Sequence, residues 1–87
     1  MIGYVTLGTN DFDKAVAFYD ELLALLGASR FMEEETFIAW ASSPDTPGLS
    51  VTRPYDGKPA TVGNGTMIAL AVDSKEKVHA VYDKAIE

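Results

Sequence analysis

The sequence predicts an α+β chain: a strand, a helix and three further strands, then the first strand and helix of a second, incomplete unit. Three observations carry that prediction. The stretch VTLGTNDFDKAVAFYDELLALL, from Val5 to Leu26, reads as a strand running straight into an amphipathic helix. Three short β-favouring segments follow before residue 54, separated by turn residues. Finally, a 63-residue shift lays MIALAVDSKEKVHAVYDKAI over YVTLGTNDFDKAVAFYDELL without a gap. It superposes Leu70 on Leu7, Lys77 on Lys14, Ala80 on Ala17, Tyr82 on Tyr19 and Asp83 on Asp20.

Val5, Thr6 and Leu7 suit a pleated strand, and Thr9, Asn10 and Asp11 are residues whose side chains accept from the free amides of a helix start. The helix is therefore expected to begin near Asp11. Phe12, Ala15, Tyr19, Leu22, Leu23 and Leu26 then recur at steps of three and four, the period of one buried face, and Gly27 supplies a left-handed stop. Ala28–Glu34 and Thr36–Ser42 form a hairpin with an acidic tip. Glu33, Glu34 and Glu35 point alternately to opposite sides of an extended chain, so they do not converge on one cation. Phe37, Ala39 and Ala41 alternate with Ile38 and Trp40, which makes both faces of that strand apolar and predicts that both are covered.

Residues 43–48, with two prolines, an aspartate and a glycine, form a surface loop. Leu49–Arg53 alternates as a strand, and Pro54 ends it. The expected organisation is thus a first module over residues 1–54, a connector over 55–65, and the start of a second module over 66–87, with a strand at Thr66–Asp73 and a helix opened by Ser74. That helix reaches Glu87 with no glycine stop and no following strands. A homo-oligomer, or a missing C-terminal sequence, is expected to cover the strand edge left open.

Composition narrows the function. A chain of 87 residues is one domain at most and buries only roughly 60–65% of its unfolded surface. Seven basic against thirteen acidic residues give a net charge of -6, which repels phosphate backbones, and no cluster of lysine or arginine offsets it locally, so nucleic acid is not an expected partner. No apolar run is long enough for a membrane helix, and the N-terminus lacks the build of a secretion signal, which gives a cytoplasmic expectation. The absence of cysteine excludes disulfides, thiolate nucleophiles and cysteine-ligated metal.

The stretches VTLGTNDFDKAVAFYDELLALLGA, FMEEETFIAWA and GNGTMIALAVDSKEKVHAVYDKA together resemble the vicinal-oxygen-chelate superfamily, the glyoxalase, bleomycin-resistance and extradiol-dioxygenase group. The strand, Asp11 and the AxxFY element of Ala15, Phe18 and Tyr19 carry the likeness most directly. It implies paired βαβββ modules whose curved mixed sheets form a cup, with a metal inside it in the metal-dependent members. The resemblance places ligands at Tyr4, seven residues before Asp11, and at Met67 by the 63-residue shift, with a third ligand beyond Glu87. A phenol and a thioether are poor replacements for imidazole on zinc, nickel or ferrous iron. The expectation is no metal and no cofactor.

The single histidine, His79, falls inside the second helix, away from those positions, and no catalytic residue is assigned. The expected function is a metal-free binding module of the bleomycin-resistance type, holding a small hydrophobic or aromatic ligand against Tyr4, Trp40, Arg53 and Met67. Arg53 would grip an anionic group, and Trp40 would report on the cavity. A glyoxalase-type lyase or dioxygenase-related enzyme whose remaining active-site residues lie beyond this chain stands as the alternative, as does a family protein without activity in this form.

Overall fold

A computed structural model describes residues 1–87. The elements in order are β1 (Tyr4–Gly8), α1 (Phe12–Ala24), β2 (Ser29–Glu34), β3 (Phe37–Ala41), β4 (Gly48–Thr52) and α2 (Lys75–Ile86). The strands form one mixed sheet in the order β1-β4-β3-β2. β1 runs parallel to β4, as expected for strands joined by a crossover, whereas β2–β3 and β3–β4 are antiparallel. The predicted βαβββ unit is present.

The helix begins as its sequence dictates. The Asp11 carboxylate accepts from the Lys14 amide at 3.3 Å, satisfying one of the orphan donors of the first turn. At the other end the Gly27 amide bonds to the Ala24 carbonyl and the Ala28 amide to the Leu23 carbonyl, with Gly27 at φ 75°, a conformation that favours a residue without Cβ. Between these stops, α1 lays Phe12, Val16, Leu22 and Leu23 into the interior. They meet one face of the sheet, where Ile38, Trp40, Leu49 and Val51 are buried with Val5 and Leu7 packed beside them. The main cluster of the core therefore lies between α1 and that face.

The second helix starts by the same device. The Ser74 hydroxyl accepts from the Lys77 amide at 3.1 Å, so the residues that cap the two helices, Asp11 and Ser74, stand 63 positions apart. Unlike α1, α2 buries no residue; its half-buried face carries Lys77, Val81 and Lys84, with Lys77 Nζ donating to the Leu25 carbonyl at 2.7 Å and Lys84 3.7 Å from Glu21.

The predicted strand at Thr66–Asp73 does not join the sheet. The residues are strand-like in pattern but have no ladder, since β1 pairs only with β4 and no other strand lies alongside to share its amides. A strand is a pairing, and alternation in the sequence does not supply the partner. Only Ile68 of this segment packs against the core. The connector before it is tied to the first module by Asn10, whose side-chain amide donates to the Ala60 carbonyl at 3.0 Å and accepts from the Ala60 amide at 2.6 Å.

Candidate ligand-binding site

Register assigns each strand residue to a face. Tyr4, Thr6 and Gly8 stand opposite Gly48, Ser50 and Thr52, and these in turn share a face with Phe37 and Ala39 of β3 and with Met32 of β2. This is the face turned away from α1. Its centre is built of small residues, Gly48, Ser50 and Ala39, and its periphery of large ones. Tyr4 and Phe37 come from opposite corners and meet edge to face over that floor, ring centroids 5.8 Å apart. Beneath them Ser50 and Ala39 are fully buried although no helix covers this side.

Phe31 completes the ring of aromatics. The β2–β3 register shifts between Arg30 and Met32, so Phe31 is the extra residue of a bulge, and its ring lies beside Gly48. A Cβ on Gly48 would meet that ring at 2.9 Å and the Trp40 carbonyl at 2.8 Å, so this position takes glycine for space. Tyr4 and Phe31 remain 47% and 49% exposed. The polar atoms of the floor are satisfied among themselves: the Ser50 hydroxyl donates to the Val5 carbonyl at 3.1 Å, which leaves the Thr6 hydroxyl to donate to Ser50 at 2.7 Å. The face presents aromatic rings, a thioether, small residues and the hydroxyls of Thr6, Ser50 and Thr52, with Glu34 beside Phe37 at its rim and no basic strand residue.

The four residues singled out from the sequence do not converge. Tyr4 is on the open face. Trp40 is on the other face, 1% exposed, its indole N–H donating to the Asp20 carboxylate at 2.8 Å and its ring 5.8 Å from that of Tyr19. Arg53 follows β4 on the same side as Leu49 and Val51 and lays its guanidinium 5.7 Å from the centre of the Phe12 ring. Met67 is 86% exposed and borders a cleft of about 700 Å³ between the β1 edge and residues 60–68. His79 is exposed on α2.

The metal expectation can be put to the donor set. Nowhere do three histidine, aspartate or glutamate side chains converge as a cation site. Of the two expected ligand positions, Tyr4 stands on the open face and Met67 borders the cleft beside β1. The phenol of Tyr4 and the thioether of Met67 are poor ligands for zinc, nickel or ferrous iron.

Acidic and basic groups are instead used in structure. Asp20 accepts from Nε and Nη2 of Arg30 as well as from Trp40, and the Arg30 hydrogen bond is the main cause that holds its carboxyl below the ordinary carboxylate range. Burial pushes the Tyr19 phenol up.

The model of the Glyoxalase/Bleomycin resistance protein/Dioxygenase superfamily matches residues 1–87 of this sequence. The chain belongs to this superfamily. Among solved structures, a glyoxalase/bleomycin resistance protein from Albidiferax ferrireducens T118 is similar at 32% identity and a TM-score of 0.88, over 99% of this chain and 70% of that one. A glyoxalase candidate from Bacillus halodurans shares the fold at 19% identity and a TM-score of 0.71, with 97% of this chain and 65% of that one covered. No curated protein matches the chain.

Sequence reasoning passed over Phe31, Phe37, Gly48 and Ser50 as site residues. The signal for Phe37 was present in the alternation of β3, which sets it on the face opposite Trp40. The bulge that turns Phe31 toward Gly48 leaves no mark in the residue pattern.

Proposed function

We propose that this superfamily member is a small-molecule-binding protein that works without a metal and takes an aromatic, largely apolar ligand on the open face of its sheet. The observation that carries the reading is the floor of Gly48, Ser50 and Ala39 overhung by Tyr4, Phe37 and Phe31. The rings cover the small residues, so a planar ligand enters by parting them, and they supply flat apolar area and edge-to-face partners for it. When the rings part, the space above Ser50 is theirs to share with that ligand.

One sheet face is one wall. A second copy of the chain, or further sequence, completes the cup, and the half-exposed Tyr4 and Phe31 together with the unpaired outer edge of β1 support that assembly. No helix is long and apolar enough to cross a membrane.

A calorimetric screen of bicyclic aromatic compounds tests the reading. Saturable binding is expected, weakened at least tenfold by Tyr4→Ala or Phe37→Ala. Binding that survives both substitutions unchanged would remove the open face as the site.

A further inference from the structure

On the opposite side of the sheet, residues 68–73 pass the C-terminal end of α1 and the adjoining ends of β3 and β4, enclosing a cleft of about 860 Å³. Its walls are mainly apolar, with Val5, Leu26, Trp40, Leu49, Ile68 and Leu70 among them, and two charged residues, Asp73 and Lys77, border it.

Five of the seven basic residues, Lys14, Arg53, Lys58, Lys75 and Lys77, have no carboxylate within 4.0 Å, and of these Lys77 alone is partly buried and borders the cleft. Arg30 is paired with Asp20 and Glu33, and Lys84 lies against Glu21 and Glu87. Lys77 is partly buried, yet no carboxylate comes within 4.0 Å of it, although the chain carries thirteen acidic residues. Its one partner is the neutral Leu25 carbonyl, at 2.7 Å, which occupies one of three ammonium protons. A partly buried lysine is ordinarily matched by a counter-charge, because removing an ammonium from water is costly. Here the missing counter-charge faces an apolar cleft.

We propose that this cleft binds an amphiphilic monocarboxylate, its hydrocarbon portion against Leu26, Trp40, Leu49 and Ile68 and its carboxylate on the Lys77 ammonium. A single negative charge fits better than a dianion, because the Asp73 carboxylate borders the same cleft and repels added charge. The volume lies within the range of small-molecule sites, and the C-terminal end of α1 holds the ammonium in place through the Leu25 carbonyl. The site is distinct from the open face, from which the sheet itself separates it, and it stands whether or not that face binds a ligand.

Trp40 is the only tryptophan and lies at the inner wall of the cleft, 1% exposed, so its emission reports a ligand there through the packing around it. The probes are decanoate, decanol and decyl phosphate, each below its micellar concentration. Decanoate is expected to change Trp40 emission saturably and to bind at least tenfold more tightly than decanol or decyl phosphate. Lys77→Met should reduce decanoate to the level of decanol, and Lys77→Arg should retain most of the preference; circular dichroism of both variants reports whether α2 stays folded. Ala71→Phe, which adds a ring at a position lining the cleft, should weaken the response several-fold. Equal affinity for decanoate and decanol, no saturable change with decanoate, or an Ala71→Phe variant that binds as before would overturn the proposal.

Discussion

Replacing Asp20 by alanine should destabilise the fold by about 2 kcal/mol, because this carboxylate closes the junction of α1, β2 and β3. It accepts the Trp40 indole N–H at 2.8 Å and the Arg30 Nε at 2.9 Å. Leaving a buried N–H without an acceptor costs about 1–3 kcal/mol. The Arg30 pair adds little, since its side chains are 33% and 37% exposed, and such pairs are worth at most about 1 kcal/mol. Asp20→Asn keeps an oxygen for the indole and loses the charge, so it should cost about 1 kcal/mol, less than alanine.

The interaction also fixes a pH dependence. The folded-state pKa of Asp20 is depressed, chiefly by the Arg30 hydrogen bond, so its contribution is fully present above the unfolded carboxylate value of about 4 and is lost as pH falls through the lower folded value. Urea unfolding followed by circular dichroism, at neutral pH and at successively more acid values, measures both effects, and a Trp40→Phe background isolates the indole share. An alanine variant within about 0.5 kcal/mol of the parent, or an asparagine variant as damaged as alanine, would refute this reasoning.

Three further outcomes are expected. Gly48→Ala should destabilise by about 1–3 kcal/mol, and Phe31→Ala in the same chain should relieve only part of it, since the Trp40 carbonyl 2.8 Å from the new Cβ cannot move aside; chemical denaturation of the single and double variants decides. Asp11→Ala should lower global stability by about 1 kcal/mol because it caps the helix that carries the core, whereas Ser74→Ala should reduce α2 helicity and leave the main unfolding transition in place, as amide hydrogen exchange will show. After dialysis, elemental analysis should find no stoichiometric zinc, nickel or iron, and a metal held one per chain would contradict the donor-set argument.

Much of the fold was legible because it depends on local chemistry. The period of Phe12 to Leu26, the acceptor at Asp11 and the glycine at position 27 define α1 without reference to any other part of the chain. The site depends on register, which is not local. The sequence showed that Phe37 and Trp40 occupy opposite faces of β3; only the pairing of Trp40 with Leu49, and the position of α1 over Leu49, show which of the two is core. Trp40 therefore serves packing and borders a cleft, while Phe37 joins Tyr4. Arg53 follows the same parity as Val51 and is drawn over Phe12. The segment at 66–73 has a strand's composition, and what it lacks is a neighbour.

Ligand mapping by nuclear magnetic resonance tests the central claim most directly. With a bicyclic aromatic compound titrated into isotopically labelled protein, the account predicts saturable shifts confined to Tyr4, Phe31, Phe37 and the amides around Ser50, with Tyr19 and Phe12 unmoved. Shifts that instead gather on the α1 side of the sheet, or a spectrum unchanged at every concentration, would contradict it.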